Sequence, residues 1–243
     1  MMLQTKSPPA VRPSAPLRQK TDYQSYLNMA SESQIMEWVD GEVINYMPPM
    51  NYHQDIARFL SVLIDSFIRY FDSGVLRFAP FEVKLWPDGP SREPDILFIS
   101  QDNLPNLTPK RYLGGPDLLI EIVSPSSVVE DRVRKLTQYE QAGVREYWIV
   151  DPRAHQQQAD FFVLDEDGVY AAAPVSEDGI FYSTVLPDFW LKLAWLWQSP
   201  LPNPQLALAE VMCSVESLPP QAKETFQALY DLLADRPAAN AGS

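Results

Sequence analysis

Asp117-Leu118-Leu119-Ile120-Glu121-Ile122-Val123-Ser124 is an apolar run with one carboxylate inside it. Its length, and the Gly114-Gly115-Pro116 and Pro125-Ser126-Ser127 clusters on either side, predict a buried strand. The segment that follows, Val128 to Ala142, has helical periodicity. Ser127 and Glu130 have capping-box spacing at its start, and Gly143 stands where a left-handed residue ends a helix. Glu146 to Val150 is the next buried strand, stopped by Asp151-Pro152.

Working back toward the N-terminus, strands are predicted at Val75 to Phe78, Phe81 to Trp86 and Pro94 to Ile99. Before them Ile56, Phe59, Leu60, Leu63, Ile64, Phe67, Ile68 and Phe71 recur on one helical face. Asn51 is its expected N-cap and Gly74 its stop. Asp40-Gly41 sits between the runs Ile35 to Val39 and Glu42 to Tyr46, a hairpin signal because the tight turn needs positive φ. Pro48-Pro49 ends that second strand, and a short helix is expected at Tyr23 to Ala30. Toward the C-terminus, Ala159 to Leu164 and Val169 to Ala173 flank a second turn at Asp165 to Gly168. Leu191, Leu193, Trp195 and Trp197 alternate, which predicts a last strand. Helices follow at Gln205 to Cys213 and Pro220 to Leu233. The order helix, strands, helix, strand predicts an α/β fold, a mixed sheet flanked by helices with added antiparallel hairpins.

With 243 residues, 46% of them hydrophobic, the chain can bury one sizeable core. The expected organisation is a disordered, basic, Pro-rich tail over 1–20, a domain over 21–198, and a helical extension and tail over 199–243. No apolar run approaches the ~20 residues that span a bilayer, so no membrane span is expected, and a cytoplasmic location is the default. The single cysteine, Cys213, rules out a disulfide framework and a multi-cysteine zinc site. Two histidines, His53 and His155, cannot build a histidine cage. No G-x-S-x-G elbow, H-E-x-x-H pair or phosphate-binding G-x-x-x-x-G-K-[ST] loop is present. The net charge of -13 opposes polyanion binding by the overall field. Residues 1–20 run against it, with Lys6, Arg12, Arg18 and Lys20 and no acid.

Asp95 and Glu121 are the candidate site. Each lies in an otherwise apolar strand, where a carboxylate is costly unless paired or bound to a cation. If the strands are neighbours, two oxygen donors suit Mg²⁺, which keeps waters and leaves room for a phosphate oxygen. The alternative is that Asp95 caps a turn after Pro94 and Glu121 pairs with an arginine. Arg132, Lys135 and Tyr139 share a stripe of the following helix, and Lys135 could reach back to the Glu121 strand. An exposed, snorkelling lysine is the competing reading. His53, Glu42 and Glu82 are further polar groups near element ends. Trp190, Trp195 and Trp197 read as core or a self-association patch rather than as base-stacking platforms.

Taken together, Asp40-Gly41-Glu42-Val43-Ile44, Met47-Pro48-Pro49 with His53, Glu93-Pro94-Asp95-Ile96, Pro116 to Ser126, Asp131-Arg132 with Lys135, and Gly143 to Pro152 resemble the Uma2 family of restriction-endonuclease-like proteins. The resemblance covers roughly Tyr23 to Leu196. It implies a PD-(D/E)xK-type nuclease fold in which Asp95 and Glu121, with the carbonyl of Ile122, hold Mg²⁺ or Mn²⁺. The family's lysine, two residues after the second carboxylate, falls at Val123, so Lys135 is its expected substitute. His53, Glu82, Arg132 and Tyr139 are possible auxiliary residues. The implied activity is metal-dependent endonucleolytic hydrolysis of DNA, with weak, salt-dependent DNA binding and a homodimer for cutting two strands. A catalytically degenerate interaction module on the same scaffold is the alternative.

Overall fold

The structure, a computed structural model, describes residues 16–29, 34–46 and 51–235. In chain order its strands are β1 (Leu17–Lys20), β2 (Met36–Val39), β3 (Glu42–Asn45), β4 (Gly74–Phe78), β5 (Glu82–Lys84), β6 (Ser91–Arg92), β7 (Ile96–Ser100), β8 (Arg111–Leu113), β9 (Leu118–Ile122), β10 (Glu146–Asp151), β11 (Gln158–Leu164), β12 (Tyr170–Ala172), β13 (Ile180–Tyr182) and β14 (Trp190–Lys192). The helices are α1 (Tyr23–Met29), α2 (Asn51–Tyr70), α3 (Leu136–Gln141), α4 (Leu193–Leu196), α5 (Pro204–Ser214) and α6 (Pro220–Ala234). A π-helical segment, Glu130–Lys135, runs directly into α3.

The main sheet has the order β12-β11-β10-β9-β7-β4. Only β9 and β10 pair in parallel, and the π segment with α3 is the crossover between them. The mixed α/β architecture read from the sequence is therefore the one observed. All five residues of β9 are buried because both sheet faces are covered. On one face Ile96, Phe98, Leu118, Ile120 and Ile122 pack with the apolar stripe of α2. On the other, Leu97, Ile99, Leu119 and Val123 pack with Tyr139, Val144 and Tyr147. The second sheet, β1-β3-β2-β6-β5-β8, adds Val83 and Leu85 to that second core. Glu93-Pro94-Asp95 links β6 in one sheet to β7 in the other, so the site lies where the sheets meet.

The β2–β3 turn has positive φ at both Asp40 (51°) and Gly41 (77°), as a two-residue hairpin requires. Several expectations are corrected. Leu17–Lys20, placed in a disordered tail by composition, pairs with β3 as an edge strand, with Arg18 reaching Glu42 and Glu130. Residues 1–15, and Pro48-Pro49, lie outside the described residues. Leu191 to Trp197 is a strand only to Lys192. A helical turn then buries the adjacent Trp195 and Leu196 on one side, which an extended strand cannot do. Ser127 and Glu130 form no capping box. The Ser127 hydroxyl accepts from the Ser124 amide (2.9 Å), while Glu130 accepts from Arg92 (2.9 Å) and Arg134 (3.2 Å). Finally, α5 places Ala207, Val211 and Met212 in the first core, so a boundary at 198/199 does not follow an edge of that core.

Candidate active site

The β7–β9 register sets Ile96 opposite Ile120, so the next pair outward is Asp95 opposite Glu121. Directly opposed residues of an antiparallel pair share one face, with Cβ atoms about 5 Å apart. The two acids, 26 positions apart in sequence, therefore meet at the sheet end. Pro94, which has no N–H to leave unpaired, leads the chain into β7. Asp95 Oδ2 accepts from the Ile122 amide (2.7 Å) and lies 3.1 Å from His53 Nε2 at the start of α2. Glu121 Oε1 accepts from Lys135 Nζ and from the Tyr139 hydroxyl, each at 2.8 Å. Neither alternative reading holds as stated, because Glu121 has a lysine rather than an arginine partner and Asp95 bonds across to the neighbouring strand.

Lys135 also lies 3.2 Å from Glu37 Oε1 and 3.3 Å from Asp131 Oδ1. It is thus buried among three carboxylates instead of snorkelling into solvent. The π segment explains the alignment. A π turn, bonded i→i+5, holds more residues than an α turn, so positions four apart stay on one side while positions three apart diverge. Asp131, Lys135 and Tyr139 face Glu121, whereas Arg132 turns away to Asp160 and Asp151. Arg132 is therefore not in the site. Glu82 is absent from it too, held on the second sheet by Tyr23 (2.6 Å), Ser91 (2.7 Å) and Arg111 (2.9 Å). Val123 is 1% exposed and packed in the second core, so the position two residues after Glu121 carries no amine, and the lysine beside Glu121 is Lys135 of the π segment.

Three residues missed by the sequence reading complete the site. Glu37 on β2 is fully buried and accepts from Arg92 (2.7 Å) and the Tyr46 hydroxyl (2.8 Å). Glu93 accepts from the Met36 amide (2.9 Å), and Asp131 is the third acid around Lys135. Glu37 carries the same signal as Glu121, a charge inside the apolar strand Met36-Glu37-Trp38-Val39. Asp131 stands at i-4 from Lys135. With Asp95, Glu121 and Lys135 these residues line a cavity of about 60 Å³, room for an ion and a few waters.

Acids outnumber bases here, and the electrostatics follow. Burial, reinforced by Asp131, Asp95 and Glu37, holds Glu121 well above the usual carboxylate range despite Lys135. Burial likewise raises Asp131 to about 6 and Glu93 to about 8. Burial would lower Lys135, but Glu121 and Glu37 outweigh it and hold the ammonium well above its ordinary value. Glu121 is raised first by burial and then by its acidic neighbours, Lys135 mainly by the carboxylates, and the crowded negative charge is one that a proton or a cation relieves. The donor chemistry fits a hard cation. Among the described residues Asp95 Oδ1 and Glu121 Oε2 accept no hydrogen bond. No cluster of three His, Cys, Asp or Glu side chains is spaced as a metal cage among those residues. Two carboxylates completed by water and phosphate are what Mg²⁺ takes. Nδ1 of His53 is buried without a hydrogen-bond partner.

A family model described as "Putative restriction endonuclease", Uma2, matches residues 23–194. A solved structure from Anabaena variabilis ATCC 29413, described as a putative nuclease belonging to DUF820, superposes with a TM-score of 0.57. Identity to it is 17%, over 72% of this chain and 96% of that one, so the likeness speaks for the fold. No curated protein matches. Since the family match runs from α1 through the main sheet to β14 and takes in every acid around Lys135, the chain belongs to the Uma2 family.

Proposed function

We propose that the protein is a Mg²⁺-dependent endonuclease (Mn²⁺ serving as well) that hydrolyses DNA phosphodiester bonds. The observation that carries this reading is Asp95 and Glu121 lining one small cavity, with Lys135 Nζ 2.8 Å from the second carboxylate. Asp95 and Glu121, with the carbonyl of Ile122, would hold the cation. Bound there, it would polarise the scissile phosphate and lower the pKa of the attacking water. Lys135 orients that water or neutralises charge developing on the phosphate. Tyr139 fixes Glu121, Glu37 and Asp131 fix Lys135, and His53 with the Ile122 amide fixes Asp95. A homodimer would bring two such sites to two strands.

The test is cleavage of supercoiled plasmid with Mg²⁺ or EDTA by wild type, Asp95→Ala and Glu121→Ala. Wild type nicks only with the cation, and each variant loses at least ~10²-fold of that rate. Equal nicking by all three proteins would show the activity to be a contaminant. The relocated amine, with Val123 in the usual lysine position, favours a second reading as a nuclease-fold interaction module. That reading requires a thermal melt that does not respond to Mg²⁺ or Mn²⁺.

A further inference from the structure

A second, larger cavity of about 790 Å³ adjoins the polar one, and His53 and Ser124 line both. Its walls include Tyr52, Pro125, Pro152, Arg153, Gln157 and Trp197. Its volume is that of sites taking nucleotide-sized ligands, roughly 300–1,000 Å³. The walls are poorly matched to intact duplex, whose outer face is phosphate and asks for free lysine and arginine. Arg153 is already committed to Asp151, with Nε at 2.8 Å and Nη2 at 2.7 Å. The whole chain adds a net charge of -13. What the walls offer is ring and carbon surface, the kind on which unpaired bases stack whatever their sequence. Tyr52 is fixed by its hydroxyl, which donates to the Leu196 carbonyl (3.0 Å). Trp190 and Trp195 are core residues stacked on one another, but Trp197 is only half-buried and faces this cavity.

We propose that this cavity receives the base of an unpaired nucleotide next to the scissile phosphate, so that the substrate is single-stranded or locally unpaired polynucleotide. The inference rests on the nuclease reading for the place of the phosphate and deepens it by naming the substrate class. Affinity then comes from stacking, which an acidic protein can supply, rather than from phosphate contacts, which it supplies poorly.

The experiment measures the fluorescence anisotropy of three labelled probes with wild-type protein, Ca²⁺ replacing Mg²⁺ as the oxygen-liganded cation. The probes are an oligothymidylate, an abasic strand of equal length and charge, and a duplex of that length. The base-bearing strand binds about tenfold more tightly than the abasic one, as expected for stacking, and the duplex binds no better than the abasic strand. Trp197→Ala removes the advantage of the bases, and Trp197→Phe keeps most of it. Equal affinity for abasic and base-bearing strands, or tightest binding to duplex, overturns the inference. The abasic comparison needs no variant, so a folding defect in Trp197→Ala does not affect the outcome. Cleavage of the same probes in Mg²⁺ is read separately. A base preference with no cleavage of any probe overturns the nuclease reading and leaves the base site. Cleavage without base preference does the reverse.

Discussion

In the proposed mechanism the side chain on which most of the chemistry turns is Lys135. Its side chain is 4% exposed, and its ammonium lies within 3.3 Å of Glu121, Glu37 and Asp131. Removing one partner of such a cluster leaves uncompensated buried charge, at a cost of about 3 kcal/mol. Lys135→Met should therefore lower the urea-unfolding free energy by about that amount. It should also abolish plasmid nicking while the thermal shift on adding Mg²⁺ persists. Lys135→Arg should not restore cleavage, because a planar guanidinium cannot stand in for a compact ammonium among three carboxylates. Retained nicking by Lys135→Met would remove the lysine from the chemistry. At this scale the sequence was partly legible. Asp95 and Glu121 stand out because a carboxylate in an apolar strand demands a partner. Arg92 does not stand out. Its neighbours are polar and its strand is two residues long, yet it is fully buried and ties Glu37 and Glu130 together.

The π segment is what makes one helix serve the site. It turns Asp131, Lys135 and Tyr139 inward and leaves Val129 and Val133 exposed. Deleting Val133 should let the helix relax to regular α geometry between its fixed ends. At the C-terminal end, Gly143 (φ 77°) lets the Val144 amide donate to the Tyr139 carbonyl (3.0 Å). The expected result is an unchanged far-UV CD spectrum with cleavage reduced about 10²-fold, since a misplacement of about 1 Å is enough for that. Unchanged cleavage would show that the π geometry does not position Lys135. Helical periodicity identified this element and its end, but not the π turn, because apolar spacing over six residues does not separate a π register from an α one. The missed strands β1, β6, β8 and β13 are two to four residues long and lack the alternation that would announce them. They exist because neighbouring strands offer them backbone partners.

For the whole molecule, the crowding of acids sets a pH dependence. Glu93 and Asp131 hold protons in the folded state up to about pH 8 and 6, well above their unfolded values. The folded protein binds more protons than the unfolded chain in that window, so stability falls as pH rises through it. Glu37 acts in the opposite sense. Burial would raise it, but Lys135 and Arg92 hold it at about 2, so its contribution is present above its unfolded value of 4.5 and lost as pH falls. In EDTA the melting temperature should therefore peak at about pH 4 and decline steadily toward pH 8. Mg²⁺ should restore most of the loss at pH 8 by replacing the protons. Melts flat from pH 5 to 8, with and without Mg²⁺, would contradict this account. Among the described residues no helix is long and apolar enough to cross a membrane.

The sequence by itself determined the major elements and the identity of the two strand-borne acids. Apolar periodicity and turn residues are local, and a charge in an apolar run is conspicuous wherever it stands. Tertiary structure alone decided that Asp95 and Glu121 line one cavity, that Glu37 and Asp131 enclose the same ammonium, and that Arg132 and Glu82 go elsewhere. Those outcomes depend on strand register, on where the two sheets meet and on the phase of a π turn. Each is fixed by the packing of segments far apart in the chain rather than by any residue's own neighbours.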